Sequence, residues 1–566
     1  MGSFIFNIHS IPKDNSVYMP KDNSVYNLLD TLKKGCYNVR KHLQEEEFMN
    51  MEQIAQLRAL VSEETPDVQA FAKLSRRVRT ETEGLPETER KARFLETLAS
   101  ELPTPVFAGE RLLGSMRFWS NVHLQPSAFF NMGHIVVDYG SVLEIGLQKL
   151  AEKLDARNTE DSLFSARAVR ALSKLILRYA KAANETAQEA AAICRRIASH
   201  APETFHEALQ LLWFIHLFLH AEGMSAAISF GRFDMYMYPY YRKDMEAGKL
   251  NREAAMDLLA CLWLKTCEGD ESQNLTLGGE GENELSCLCL EVSRWIQTKQ
   301  PSLSARIGKH TSGEFMAEVI RLIKSGLGMP AIFNDPVVES ALTQLGIPAE
   351  EAHDYAIVGC YEANPPQALG LTVAGAMQLH RGLLDWLPVA KHDDFDTFLQ
   401  DYKDYFVRRY LETELPGFVK VWETVQARMV SPFESACISA CVNSGLAAEH
   451  KGAKYTMFGI NILGLGTLTD SLYAVKKLVF EGGMDYDTFV GQVLQNFPDL
   501  SLSEKCKSLP GKYGTDNPET NALAQTLSAH IARTVMQNRF DADIICYPRP
   551  FPIYRRYLFR RLPGHA

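Results

Sequence analysis

Cys360 and Glu362 stand two residues apart in "YAIVGCYEANPPQALGLT", where an apolar run meets Gly359 and is soon followed by Pro365-Pro366. A free cysteine is most often a small core hydrophobe. A carboxylate beside it, however, is costly to bury without a task. Gly359 permits an unusual turn or a close backbone approach, and the two prolines stiffen the exit. A thiolate nucleophile would need a histidine or another cation at hand, and the motif holds neither. Glu362 would instead raise the thiol pKa by adding a nearby negative charge. The pair suits a sulfur that abstracts hydrogen as a one-electron agent while the carboxyl moves a proton.

Other candidate clusters are weaker. Cys287 and Cys289, Cys261 and Cys267, and Cys437 and Cys441 are spaced like half-sites, but each lacks the second half of a zinc or iron–sulfur pattern. They read as buried thiols, and no metal is expected. "LGGEGEN" from Leu277 and "ILGLGTLTD" from Ile462 have neither the Lys-Ser/Thr ending of a phosphate loop nor full GxGxxG spacing, so they read as tight turns. The segment "PIYRRYLFRRLPGHA" interleaves Arg555, Arg556, Arg560 and Arg561 with Tyr554, Tyr557 and Phe559. On an acidic protein it reads as a docking surface or a solvated strand edge before a nucleic-acid site.

The elements that must position Cys360 and Glu362 follow from periodicity. Helical spacing runs from Tyr26 to about Ser100 and again from about Ser141 to Gly223, including "SARAVRALSKLILRYAKAANETAQEAAAICRRIA". "ALQLLWFIHLFLHAEG" from Ala208, cut by His216 and His220, is too short for a membrane span and reads as a buried helix. "TPVFAGERLLGSM" reads as strand and turn. "QNLTLGG", "PSLSARIG", "PAIFN", "YAIVGC" and "KYTMFGINILGLG" are short strands between helical runs, which predicts an α/β fold. The repeat "PKDNSVY" at Pro12 and Pro20 marks a flexible tail over 1–30, ahead of one large domain over 31–566. A net charge of −10 and scattered acids give no sign of a nucleic-acid or anionic-membrane partner, and 11 cysteines in 566 residues suit a reducing, cytoplasmic setting. The start "MGSFIFNIHS" has neither a basic segment nor an apolar core, so it is not read as a secretory signal.

"GCYE" resembles the Gly-Cys-x-Glu motif of the glycyl radical enzymes, the pyruvate formate-lyase-like superfamily, in its eliminase and dehydratase branch. "GERLLGS" at Gly109, "GHIVVDYGSVLEIGL" at Gly133, "SFGRFDMYMYPYYRKDMEAGKL" at Ser229, "QNLTLGGEGENELSCLCLE" at Gln273, "QPSLSARI" at Gln300, "GMPAIFNDPVV" at Gly328, "GTLTDSLYAVKKLVF" at Gly466 and "KYGTDNPE" at Lys512 are similar to further blocks in the same order. The resemblance covers about Ala99 to Arg556. It implies an α/β barrel of two five-stranded halves wrapped by helices, with Cys360 on a loop projecting inward and the PFL domain incomplete at its C-terminus. In that family a glycyl radical takes hydrogen from the cysteine, the thiyl takes hydrogen from the substrate, and the glutamate acts as acid or base as the leaving group departs.

No glycine in the chain has Arg-Val-x-Gly-Tyr-like neighbours. The resemblance therefore implies the thiyl-bearing large subunit of a split radical lyase. A separate small subunit would carry the glycyl radical, installed by a radical S-adenosylmethionine activase acting on that subunit, and oxygen would destroy the assembly. This chain binds no cofactor in that reading and forms a possible homo-oligomer around a small-molecule substrate. A non-enzymatic relative and a truncated gene product are the alternatives. Tyr361 stands where pyruvate formate-lyases proper carry a second cysteine, which argues against formate production. "GLTVAGAMQLH" offers only Thr372 and His380 where diol eliminases place an acidic or polar group, leaving a less polar substrate or a decarboxylation open. Trp119 and Ser229 complete the candidate pocket residues, with a core tryptophan and a turn serine as their plainer roles.

Overall fold

The computed structural model describes residues 68–107, 110–116, 129, 131, 133–223, 227–268, 272–359, 362–371 and 375–551. The tail at 1–30 and the Arg-aromatic segment beyond 551 lie outside them. The chain divides into two compact units, one comprising Pro20–Leu371 with Glu423–Thr456 and the other Thr372–Trp422 with Met457 onward.

In the first unit, α1 (Val68–Glu81), α2 (Glu87–Glu101) and α3 (Tyr139–Arg157) precede α4 (Glu160–Ala182). Thr159 and Ser162 cap the start of α4 reciprocally, and Glu160 and Asp161 sit in its first turn, facing the positive end of the helix dipole. The long periodic stretch after Ser165 is not one helix. It breaks before α5 (Gln188–Ile197) around Asn184 and Thr186, residue types that are weak helix formers. α6 (Phe205–Gly223) is the expected buried helix. Its His216 is satisfied there. Nε2 donates to Gln273 Oε1 at 2.9 Å and Nδ1 accepts from Tyr139 Oη at 2.8 Å, while burial pushes its pKa well down and keeps the ring neutral.

The strand expected in "TPVFAGERLLGSM" does not form among the described residues of that stretch. The Gln210 side chain replaces a neighbouring strand, accepting from the Leu113 N–H at 2.7 Å and donating to its carbonyl at 2.9 Å. A side-chain amide thus meets the same donor and acceptor demand a ladder would.

After α7 (Phe233–Glu246) and α8 (Arg252–Thr266) comes β1 (Asn274–Gly278). α9 (Glu284–Ile296) leads to β2 (Ser302–Ile307), and α10 (Gly313–Lys324) to β3 (Ala331–Asn334), after which come the short strands β4 (Ala356–Val358), β5 (Glu362–Asn364) and β6 (Ala368–Gly370). β1, β2 and β3 pair in parallel, with Asn274 opposite Ser302 and Ser304 opposite Ala331. Parallel bridges between Val136 and Ser229 and between Gly231 and Leu275 extend the sheet to five segments. Such a sheet normally shows apolar residues on both faces. Here Leu275, Leu277, Leu303, Ala305 and Ile307 make one apolar buried face, while Asn274, Thr276, Ser302, Ser304 and Arg306 make the other. That polar face receives the Cys360 hairpin.

A buried polar knot ties other parts of this unit together. Glu222, at the end of α6, accepts the backbone N–H groups of Phe433 and Glu434 at 2.7 and 2.9 Å. Lys91 on α2 donates to Met429 O at 3.2 Å and Ser431 Oγ at 3.1 Å, and Glu449 accepts from Ser431 N at 3.3 Å. Burial drives the Glu222 carboxyl up to about 7 and raises Glu434 and Glu449, while it lowers Lys91.

In the second unit, β7 (Gly375–Gln378) leads into α11 (Leu379–Trp386) and α12 (Phe395–Arg409), and Trp386 packs against Phe398 and Tyr402 with ring centroids 4.8 and 5.2 Å away. β8 (Tyr455–Leu463) pairs with β7 in parallel, Gly375 opposite Ile460, and β9 (Ile544–Phe551) joins β8. Gly464, with φ +86°, makes the turn expected in "ILGLGTLTD". Among the described residues no helix is long and apolar enough to cross a membrane.

Candidate active site

"YAIVGCYEAN" folds into two short antiparallel strands, β4 (Ala356–Val358) and β5 (Glu362–Asn364), with Val358 opposite Glu362. Residues 359–361 connect them. Cys360 lies outside the described residues, as do Trp119 and Thr372. The sequence signalled β4, but β5 follows too closely for periodicity to separate it from the turn.

Hydrogen bonds from the polar face of the sheet hold the hairpin. Thr276 Oγ1 accepts from Ile357 N at 2.9 Å, Ser229 Oγ accepts from Gly359 N at 3.1 Å, and Ser272 Oγ donates to Gly359 O at 3.4 Å. The base is tied by Arg306, fully buried at the end of β2. Its guanidinium reaches Asp335 through Nε at 2.9 Å and Nη2 at 3.2 Å, and Tyr355 O through Nη1 at 3.1 Å. Tyr355 Oη closes the triangle on Asp335 Oδ1 at 2.7 Å. A buried charge pair of this kind holds geometry because removing either partner strands the other. Both backbone groups of Gly359 are thus fixed to the polar side of the sheet.

Gly359 has φ +50°, and a Cβ built there would lie 2.4 Å from His134 Cδ2, 3.0 Å from His134 Nε2 and 3.1 Å from Glu362 Oε2. The glycine therefore lets an imidazole and a carboxyl converge on the residue before Cys360. His134 itself has φ +51°, directly after Gly133 at φ +58°. A non-glycine residue held left-handed marks local strain of the kind functional sites carry. Glu362 and His134 are 4% and 6% exposed.

Of the residues expected from sequence, the structure brings Glu362 and Ser229 together on the two sides of Gly359. Ser229 is fully buried and holds the hairpin, a firmer role than that of a turn serine. His380 belongs to the second unit, on the first turn of α11, where a Cβ at Gly464 would stand 2.7 Å from its Nδ1. Burial, and then Arg381, lower its pKa. His134 was not singled out from sequence. Its signal was the Gly133-His134 pair opening "GHIVVDYG", whose left-handed backbone only the fold reveals. Asn364 was missed as well: two residues beyond Glu362 on β5, it shares that residue's face of the strand.

Of the six half-site cysteines, Cys261, Cys289, Cys437 and Cys441 are buried, whereas Cys267 and Cys287 are half-exposed. Among the described residues no group of three or more His, Cys, Asp and Glu side chains is placed to hold a metal ion.

The sequence model of the family described as "Pyruvate formate lyase-like" matches residues 119–555. The chain is 29% identical to the probable dehydratase YbiW of Escherichia coli K12 over 69% of its own length and 57% of that protein. It is 27% identical to the (2S)-3-sulfopropanediol dehydratase of Klebsiella oxytoca, over 65% of this chain and 52% of that one. The chain thus spans little more than half the length of these relatives. Among solved structures, the glycerol-bound form of the B12-independent glycerol dehydratase from Clostridium butyricum superposes with a TM-score of 0.79 at 23% identity, over 90% of this chain and 81% of the other. The fold is that of this group, as the sequence resemblance implied.

Proposed function

The chain belongs to the pyruvate formate lyase-like family, and from that premise we propose that it is the thiyl-bearing part of a glycyl radical lyase acting on a small organic substrate. The carrying observation is the convergence of Glu362 and His134 on Gly359, next to Cys360, on a hairpin fastened to the sheet at both of that glycine's backbone groups. Relatives named as dehydratases support the reaction class.

The glycyl radical supplies the hydrogen abstraction that turns Cys360 into a thiyl. Cys360 Sγ then takes a hydrogen atom from a substrate carbon, forming S–H and leaving the unpaired electron on carbon. As the adjacent bond to the leaving group breaks, Glu362 gives or takes the accompanying proton, with His134 beside it to hold the group that bears it. The product radical recovers its hydrogen from Cys360, restoring the thiyl. The buried hairpin keeps water and rival hydrogen donors away.

The 566 residues contain no Arg-Val-x-Gly-Tyr block, and the proposal assigns the radical to sequence outside them, as a small partner subunit charged by a radical S-adenosylmethionine activase. An anaerobic pull-down from native cells, with mass spectrometry, is expected to recover a small protein bearing that block. Recovery of a single longer polypeptide carrying both parts would replace the separate subunit. For the chemistry, Glu362→Gln in the assembled enzyme is expected to keep the glycyl radical signal and lose at least a hundredfold in turnover, in the range of general acid–base contributions. Turnover equal to wild type would remove the acid/base role.

A further inference from the structure

His216 is fully buried in the apolar stretch of α6, where a leucine would fill space without a polar ring to satisfy. Its partners give it a use. Gln273 Nε2 donates to Thr266 O at 2.8 Å, so Gln273 Oε1 faces the imidazole and accepts from its Nε2 at 2.9 Å, while Tyr139 Oη donates to its Nδ1 at 2.8 Å. His220 Nε2, 3.2 Å from the same Nε2, accepts there as well. A face of the ring stacks on Phe230, with centroids 3.9 Å apart and planes inclined by 17°. Gln273 and Phe230 each follow a serine that holds Gly359: Ser272 Oγ donates to Gly359 O, and Ser229 Oγ accepts from Gly359 N. The contacts close a circuit, from His216 through Gln273 and Ser272 to Gly359 and back through Ser229 and Phe230. Ser272 lies ahead of β1, and its neighbour Gln273 is held by the imidazole, by Thr266 O and by Gln300 Oε1, which accepts from Gln273 N at 3.0 Å.

We propose that His216 is a positioning residue: from the buried helix α6 it holds the two serines on which Gly359 hangs, and so sets where the hairpin carries the residue after that glycine. It acts through Gln273 and Phe230. The imidazole suits the task because its plane stacks on one arm while its edge hydrogen-bonds the other, so a single rigid ring fixes the spacing between them. A leucine would keep the packing of α6 and leave Gln273 Oε1 and Tyr139 Oη unmatched, which costs a buried polar group its partner. The use made of this placement rests on the radical-lyase reading, whereas the placement itself is a property of the chain alone.

The test needs neither radical nor substrate, so failure of the radical-lyase reading leaves its outcome intact. Amide hydrogen exchange of the full chain is followed at Gly359 and, as an internal reference, at the β2 amides, in wild type, His216→Ala and Leu211→Ala. Leu211 is buried on the same helix but projects from another side of it. A plain loss of core packing lowers the protection of Gly359 and β2 together, so the ratio of their exchange rates separates positioning from stability. That ratio is expected to rise at least about tenfold in His216→Ala and to stay within about twofold of wild type in Leu211→Ala. Should His216→Ala fail to fold, His216→Phe takes its place, since it keeps the stack on Phe230 and removes the link to Gln273, and the same rise is expected. An unchanged ratio in the His216 variant, or an equal rise in Leu211→Ala, would overturn the proposal, the latter by showing that any defect in α6 loosens the hairpin.

Discussion

Gly359 is where backbone and chemistry meet. Its φ of +50° is costly for a residue with a Cβ, and that atom would land 2.4 Å from the His134 ring. Gly359→Ala is expected to push His134 aside, destabilising the fold by about 1–3 kcal/mol from overpacking and strain. Turnover of the assembled enzyme should fall far more than stability, at least tenfold, because the imidazole leaves its place beside Glu362. Urea unfolding together with turnover checks this, and unchanged values of both would mean that His134 has no fixed role. At this scale the sequence was half legible. Cys360 and Glu362 stand out by type and spacing, and Ser229 by its block. His134 and Asn364 do not, since a histidine after a glycine and an asparagine before two prolines are ordinary until a left-handed backbone and a strand face bring them to Glu362.

Among the elements, helix α6 ends on the carboxyl that joins it to the 431–436 segment, and that contact sets a pH dependence. Glu222 is raised to about 7 from the usual 4.5, chiefly by burial, opposed by Lys91 and by the N–H groups of Phe433 and Glu434 and reinforced by Glu449. The folded protein therefore holds a proton that the unfolded chain has lost between those values. The stabilisation is present below about pH 4.5 and lost as pH rises through about 7. Its size is on the order of 3 kcal/mol. Urea unfolding of the first unit is expected to show lower stability at pH 8 than at pH 5, and Glu222→Gln should flatten that slope. A slope unchanged by the substitution would assign it to Glu434 and Glu449. The strands β1, β2, β3, β4 and β8 and the buried helix α6 were readable because apolar runs and punctuating glycines mark them. The strand expected near Glu110 was not formed, because the Gln210 side chain, nearly a hundred residues on, supplies its ladder. β5 went unseen because three residues of turn separate it from β4, too few for a pattern.

For the whole molecule, the blocks run from about Ala99 to Arg556, and the family sequence model covers residues 119–555 of that stretch, leaving the Gly109 block outside. Fold and family were legible together because the motif blocks are spread along most of the chain in a fixed order. The polar sheet face was not, since alternation in "QNLTLGG" and "PSLSARIG" gives no clue to what each side meets. That face, the two backbone bonds on Gly359 and the Arg306–Asp335 pair make one support for the hairpin on which the proposal places the reactive sulfur. In the proposed function Cys360 carries the radical to substrate. Its most direct test is electron paramagnetic resonance and turnover measured side by side, anaerobically, on the assembled and activated enzyme with Cys360 or with Cys360→Ala. A glycyl radical signal is expected in both and product only from the wild type; product formation by the Cys360→Ala enzyme above background would remove the sulfur from the reaction.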